Sequence, residues 1–510
     1  MADSNNKRIA KNTLVLYIRM LFLMCISLYT SRVVLQTLGI TDYGIYNVVG
    51  GIVTMFTMIS GSMAAAISRY ITYELGKGTY TSLRTVFSSS VIIQMVLASV
   101  FIIIAETFGL WFLNNYIVIS EGREIAANWV YQFSVITFAV NLISVPYNAT
   151  IIAHERMNVF AYISIVEGLG KLAIALAIAY SPIDRLIFYS LLLAILAVIV
   201  RLIYGAYCNK KFQECQGKLV YEKSVLKQIF SFAGWNIIGA SSAVCRDQGG
   251  NILLNMFFGP AVNAARGVAM HVNSAIQGFV SNFQMALNPQ ITKNYATGNI
   301  DYMLELVFKG AKYSFYILWL ISLPVLINVD FLLSVWLADV PAHSSNFLRI
   351  IIVFSLIESL SGPLMTSMYA TGKIRNYQIV VGGLQLMNLP LAYIALKQGC
   401  QAESVFVVAV MMAIVCLFAR LLMLKPMIHI SIRSFISYVL IRVVVVFAAS
   451  FSFTCVVSFL FKDGWAGLIF NTIFSLLITI VVIYLLGINK KERHLVKGYI
   501  KRKLNDKNNK

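Results

Sequence analysis

Ten Lys and Arg residues fall inside apolar stretches of this chain: Arg19, Arg32, Arg69, Lys171, Arg201, Arg246, Arg266, Arg349, Arg420 and Arg442. A cation at the centre of a membrane-spanning helix costs about 2.5–3.5 kcal/mol on translocon scales, so such residues line a cavity or pathway, or else snorkel to an interface. Arg201, Arg349, Arg420, Arg442 and Arg69 lie near the ends of their stretches, where snorkelling suffices. Arg19, Arg32, Arg246 and Arg266 lie deeper and suit the lining of a water-filled cavity. Their chemistry points to an anion, because guanidinium presents planar, permanently charged donors that fit phosphate in bidentate fashion.

Three carboxylates are also deep. Glu167 and Lys171 stand four apart on one predicted helix, Glu first, a spacing that lets them pair. Asp247 directly follows Arg246, so their Cα–Cβ directions differ by about 100°; Asp247 is expected to answer an arginine on another helix. Glu358 has no local partner. Glu167, Lys171, Asp247 and Glu358 are therefore the candidates for coupling to H⁺ or Na⁺, with hydrogen-bonded structural roles as the alternative. The stretches around these charges are polar for their depth. Asn251 and Asn255 follow Arg246, and Asn273 and Gln277 follow Arg266. These amides suit either sugar hydroxyls or interhelical hydrogen bonds.

Such residues need helices to hold them in a bilayer. Of 510 residues, 59% are hydrophobic and only 12% are charged, which a soluble globule could not bury. Fourteen apolar segments are expected, at about 12–38, 43–73, 83–106, 126–152, 158–179, 185–208, 229–257, 262–291, 310–329, 346–370, 377–396, 404–424, 434–461 and 466–487. Each is long enough to cross roughly 30 Å of hydrocarbon. The first is too long for the h-region of a cleaved signal and reads as a retained span. Of the 41 Lys and Arg, four lie between spans on one face (Arg123, Arg185, Lys397, Lys462) and 27 on the other, which places both termini in the cytoplasm. The net charge of +20 thus reflects orientation, not nucleic-acid binding. The seven cysteines and five histidines do not cluster, so no metal site is expected.

A weak internal repeat organises the spans. At an offset of 220, Gly39 falls on Gly259, Ile71-Thr72 on Ile291-Thr292 and Gly78 on Gly298; at 217, Pro146 falls on Pro363. Matching the first span with the seventh preserves orientation. The expected plan is an N-lobe of six helices (1–208), a basic cytoplasmic loop (209–228), a C-lobe of six helices (229–424), two added spans (425–487) and a basic cytoplasmic tail (488–510). Parallel repeats of this kind are a known transporter plan with substrate at the lobe interface.

Several short motifs carry a family resemblance: Lys7-Arg8-Ile9-Ala10-Lys11-Asn12 before the first span, Leu38-Gly39-Ile40-Thr41-Asp42-Tyr43-Gly44-Ile45-Tyr46 after it, and Ser68-Arg69-Tyr70 with Gly76-Lys77-Gly78 at the end of the second. With this organisation the chain resembles the multidrug/oligosaccharidyl-lipid/polysaccharide (MOP) exporter superfamily, and within it the Wzx-type polysaccharide (O-antigen) flippases. The resemblance implies an all-α, V-shaped polytopic fold with a central cavity. It implies alternating access of two lobes that moves an undecaprenyl-pyrophosphate-linked oligosaccharide across the cytoplasmic (inner) membrane for lipopolysaccharide or capsule biosynthesis. It also implies contact with membrane lipids and with polysaccharide polymerase and chain-length proteins. Cationic residues in the first, second, seventh and eighth spans line the cavity in such flippases, and this chain has Arg19, Arg32, Arg69, Arg246 and Arg266 there.

Two alternatives compete. A multidrug or cation exporter of the same superfamily typically carries an acid in its first span, where this chain has Arg19 and Arg32. A membrane glycosyltransferase or polysaccharide polymerase needs outer-face acids; Glu121, Glu124, Asp330 and Asp339 qualify, but the outer loops are short. No nucleotide-binding, serine-hydrolase or zinc-peptidase motif is present, and no catalytic residue or resident cofactor is expected.

Overall fold

The computed structural model describes residues 2–54, 56–116, 119, 122–217, 219–337, 340–458, 464–489 and 492–493. Glu121, Lys218, Asp339, Lys462, Lys490, Lys491 and the basic tail from 494 onward lie outside them. The described residues form helices and no strand. In chain order these are α1 (Ala2–Thr54), α2 (Thr57–Lys77), α3 (Tyr80–Ile104), α4 (Leu110–Tyr116), α5 (Glu124–Ala153), α6 (Met157–Ala177), α7 (Arg185–Lys211), α8 (Lys223–Phe258) and α9 (Pro260–Ala296). There follow α10 (Ile300–Ile327), α11 (Val329–Trp336), α12 (Ser344–Thr371), α13 (Arg375–Leu386), α14 (Asn388–Lys397), α15 (Ser404–Ile428), α16 (Ile432–Phe435), α17 (Ile441–Ser458) and α18 (Trp465–Val482).

Among the described residues, 11 helices are long and apolar enough to cross a membrane. The expectation of fourteen is not met on that criterion for a specific reason. The second expected span is divided between α1 and α2, and the seventh and eighth fall on α8 and α9, whose polar residues dilute their hydropathy. The chain is a multi-pass membrane protein. Trp111, Trp129, Trp336 and Trp465 all stay exposed near helix ends, as interfacial anchors do.

The repeat has a backbone counterpart. Gly39 and Gly259 both adopt positive φ (81° and 79°), as do Gly78 and Gly298 (75° and 76°), a region glycine enters without a Cβ penalty. At Gly39, α1 kinks. Pro146 and Pro363 both sit inside helices, α5 and α12. In each the proline carbonyl accepts a hydroxyl four residues on, Thr150 Oγ1 at 2.8 Å and Ser367 Oγ at 2.9 Å.

The chain divides into two compact units. Unit 1 comprises Met1–Ser241, Met285–Met303 and Tyr369–Ile379. Its apolar core gathers Val49, Phe101, Leu113, Val130, Tyr131 and Leu142 from α1, α3, α4 and α5. At the π-turn Ala105–Gly109 the Ala105 carbonyl accepts both the Leu110 amide and the Tyr131 hydroxyl, the latter at 2.8 Å. Its polar hub is Glu155, in the short corner between α5 and α6, with its side chain 2% exposed and its φ at 59°. The carboxylate accepts from Arg8 Nε at 2.7 Å, Lys293 Nζ at 2.8 Å and Gln290 Nε2 at 2.5 Å. The Glu155 carbonyl accepts from Asn12 at 3.3 Å. One carboxylate therefore fastens the start of α1 and the end of α9 to the α5–α6 corner. A second staple lies in the loops: Arg123 donates to Asp42 and Asp184, with Nη1 2.5 Å from Asp184.

Unit 2 comprises Ser242–Gln284, Leu304–Met368 and Val380–Lys510. Trp319 of α10 is fully buried and donates to Ser450 of α17 at 2.7 Å. Lys312 of α10 pairs with Glu492 at 2.7 Å, tying the start of the tail to this unit. Arg420, expected to snorkel, is instead 1% exposed and donates to Glu358 at 3.1 Å and Ser361 at 2.7 Å. Its partner is 62 residues away in sequence, so no local pattern announces it.

Two outcomes follow. Glu155→Ala strands Lys293 and Arg8, and is expected to destabilise the protein by about 3 kcal/mol, the scale for breaking a buried ion pair; an unchanged unfolding midpoint in detergent would remove Glu155 from this role. Burial acts to raise the Asp184 pKa, but hydrogen bonds from Arg123 and from the Ile187 and Leu186 amides outweigh it, and the net shift is downward. A depressed carboxylate pKa contributes stability that is present above its unfolded value near 3.9 and is lost as pH falls through the folded value. The thermal midpoint of wild type should therefore exceed that of Asp184→Asn at pH 7, and the gap should close only below about pH 4.

Candidate functional site

The polarity that dilutes α8 and α9 has a use. Both helices contribute to a cavity of about 490 Å³ in unit 2, lined also by α12, α14 and α15. Its charged members are Arg246, Asp247, Arg266 and Glu358; its neutral polar members include Asn273, Ser274, Gln277, Ser281 and Asn388. Phe354, Leu389 and Phe406 supply apolar wall. The size falls in the usual range for a small-ligand site.

Close packing builds the wall. A Cβ on Gly249 would stand 2.3 Å from Leu389 Cδ2, so the absent side chain is what lets α8 and α14 approach. This gives Gly249 a packing role; α8 runs through Gly249–Gly250 as continuous helix.

The arginines are held but not exhausted. Arg246 Nε donates to Asp247 Oδ1 at 2.9 Å, and its guanidinium lies 4.9 Å from the Phe354 ring centroid. The adjacent Arg–Asp pair thus does bond, against the expectation from the 100° divergence of their Cβ vectors. A long Arg side chain folds back round the helix, which a Cβ direction does not capture. Arg266 Nη2 donates to the Asp247 backbone carbonyl at 2.7 Å, so the arginine from the neighbouring helix does reach residue 247, through its main chain. Arg266 Nε is buried and has no partner among the described residues. Both guanidinium groups thus keep donors for a ligand, and the carboxylate of Asp247 offsets part of their charge.

The amides of α9 are partly spoken for. Ser355 Oγ donates to Asn273 Oδ1 at 2.8 Å and accepts from Gln277 Nε2 at 2.7 Å, a ladder joining α9 to α12. Glu358 faces the cavity with one oxygen bonded to Arg420. Asn388, at the start of α14, also lines the cavity and drew no attention in the sequence. The signal that could have found it is Pro390, whose ring cannot continue the helix ladder and opens a break at Met387.

The other sequence candidates lie elsewhere. Asn251 and Asn255 sit further along α8 and are not among the cavity residues. Arg32 is exposed on α1. Arg69, in unit 1, donates to the Tyr369 and Ala370 carbonyls at 3.1 and 2.9 Å and stacks on Tyr70 and Tyr73. Arg19 lies 4.6 Å from the Phe160 ring centroid, with its Nε buried and unpartnered among the described residues. Glu167 and Lys171 pair at 2.6 Å, as their spacing predicts, on a half-exposed face of α6.

Solved structures share the helical fold. An outward-facing multidrug resistance MATE family transporter of the MOP superfamily superposes with a TM-score of 0.71 at 12% identity, over 82% of this chain and 96% of that one. A MATE in its bent conformation gives 0.71 at 14% identity, over 83% and 96%. A MOP superfamily transporter from Pyrococcus furiosus, described as having a binding pocket of reverse polarity, gives 0.68 at 13% identity, over 82% and 96%. Identities this low establish the shared helical fold and nothing finer. Among curated protein sequences none matches. A family model described as polysaccharide biosynthesis protein matches residues 9–295, more than half of the chain. The chain belongs to the polysaccharide biosynthesis protein family.

Proposed function

We propose that this protein is a flippase that carries an undecaprenyl-pyrophosphate-linked oligosaccharide across the cytoplasmic membrane for O-antigen or capsule assembly, with both termini in the cytoplasm. The observation that carries the reading is the unit 2 cavity. Its two arginines, Arg246 and Arg266, keep spare donors above a row of neutral amides and hydroxyls, which suits a phosphate joined to a glycan. Family membership supports the polysaccharide context, and the MATE-like fold supports transport over catalysis.

In this reading the two repeated halves expose the cavity to one face and then the other while the polyprenyl tail stays in lipid. Arg246 and Arg266 replace the hydration of the pyrophosphate, whose charge bars it from crossing hydrocarbon bare. Asp247 and Glu358 are the acids at which a coupling proton or Na⁺ would act, because each shares an oxygen with an arginine that the cargo also engages or abuts. Arg19 and Arg32 on α1 remain further anion contacts in the proposal. Arg69, spent on backbone carbonyls, is assigned a structural role.

A multidrug exporter is the second reading, favoured by the MATE fold. The two arginines in the cavity, Arg246 and Arg266, oppose it for cationic drugs.

Complementation of bacteria lacking their own flippase for a defined glycan separates the two readings. At matched membrane expression, wild type should restore surface glycan. Arg246→Ala and Arg266→Ala should each lower the rate by about tenfold or more, the scale of one lost charge-assisted hydrogen bond. A wild type that restores no glycan but confers resistance to cationic drugs would replace the flippase reading with the exporter.

A further inference from the structure

The cavity in unit 2 carries its charges in two places. Arg246, Asp247 and Arg266 form one group, on α8 and near the start of α9. Glu358, on α12, is the other, and among the described residues no ion pair joins it to Arg246 or Arg266. The two places are close. The Arg246 guanidinium lies over Phe354, and Glu358 follows Phe354 by four residues, about 6 Å further along the same face of α12.

Glu358 is held by one oxygen and open at the other. Oε1 accepts from Arg420 Nη1 at 3.1 Å, and Arg420, 1% exposed, is itself fixed by donating to Ser361 at 2.7 Å. Oε2 accepts no hydrogen bond among the described residues and is not buried. The side chain keeps 22% of its surface and lines the cavity. The neighbouring wall also presents acceptors. Gln277 bonds Ser355 and Gln284 bonds the Ser359 carbonyl, which sets Ser281, between them on α9, at the level of Glu358. Ser281 spends its hydroxyl proton on the Gln277 carbonyl at 3.1 Å, and Ser274 spends its own on Met270 at 2.8 Å. Both hydroxyls thus face a ligand as acceptors. Phe354 and Phe406 supply flat apolar wall beside them.

We propose that Glu358 determines specificity for the sugar, its Oε2 accepting hydrogen bonds from hydroxyl or amide N–H groups of the sugar joined to the anion at Arg246 and Arg266. The inference rests on the lipid-linked cargo proposed above. A wall of acceptors takes a ligand rich in donors, and hydrogen bonds to a charged acceptor are the stronger kind. The same carboxylate repels a bare phosphate, so it favours the sugar-bearing lipid over the unloaded one in two ways. Because Arg420 already fixes the side chain, binding spends little of its rotamer freedom.

The test uses the purified full chain in lipid nanodiscs and measures equilibrium binding of undecaprenyl pyrophosphate, bare or bearing glucose, galactose or N-acetylglucosamine. At least one sugar-bearing lipid should bind wild type about tenfold more tightly than the bare lipid, the return expected for hydrogen bonds to a charged group. Deoxy counterparts of that sugar, with one hydroxyl removed at a time, should include at least one that binds no better than bare lipid. In Glu358→Gln the amide oxygen serves Arg420 and the NH₂ turns to the cavity, which replaces an acceptor by a donor at equal volume. The variant should lose the tenfold preference yet bind bare lipid at least as tightly as wild type does, a pair of changes that misfolding cannot produce. Wild type that binds every sugar-bearing lipid no better than the bare one overturns the assignment while leaving the flippase reading standing. So does a deoxy series that binds as tightly as the parent sugar, a Glu358→Gln variant that keeps the preference, or one that weakens all four lipids equally. Wild type that binds none of the four lipids overturns the flippase reading and this inference with it.

Discussion

A charge buried within the protein must be matched by a fixed partner, and that constraint organises this molecule. Lys312 meets Glu492, Arg420 meets Glu358, and Glu155 gathers Arg8, Lys293 and Gln290. Removing either member of such a pair leaves the other uncompensated, which is why pairs of this kind act as fixed points between elements distant in sequence. Against that background the arginines that are not fully matched stand out. Arg246 shares one donor with Asp247, and Arg266 gives one to a backbone carbonyl and keeps a buried, unpartnered Nε. Both line the same cavity.

The same constraint applies to the backbone. Each interruption of a spanning helix frees carbonyl or amide groups that hydrocarbon cannot hydrate. Here a side chain returns to meet them. At Pro363, which has no N–H to bond the Ser359 carbonyl, Gln284 Nε2 donates to that carbonyl at 3.2 Å. Asn388 follows this rule only halfway. Its amide nitrogen caps the Gln385 carbonyl at the α13–α14 break, while its oxygen accepts nothing among the described residues.

Much of this was legible in the sequence. The apolar segments named the helices, and the offsets of 220 and 217 picked out glycines and prolines that share backbone geometry in the structure. Arg246, Arg266, Asn273, Gln277, Asp247 and Glu358, picked out by their depth and polarity, line one cavity formed by α8, α9 and α12 with α14 and α15. What stayed hidden was pairing over long separations. Glu155 and Lys293 are 138 residues apart, and Lys312 and Glu492 are 180. No periodicity encodes such contacts, because they arise only when whole helices pack. Arg420 looked like a snorkelling residue for that reason, and Asp247 looked unable to bond Arg246 because a Cβ vector ignores how far a guanidinium can fold back.

The balance of charge in the cavity also bears on how a carrier works. A site must hold its cargo firmly enough to exclude water and loosely enough to release it. Arg246 and Arg266 bring two positive charges, Asp247 cancels one, and Glu358 is answered by Arg420 from behind the wall. On the proposed reading, a pyrophosphate there gains directional hydrogen bonds without full neutralisation, so the site can hold its cargo and still let it go.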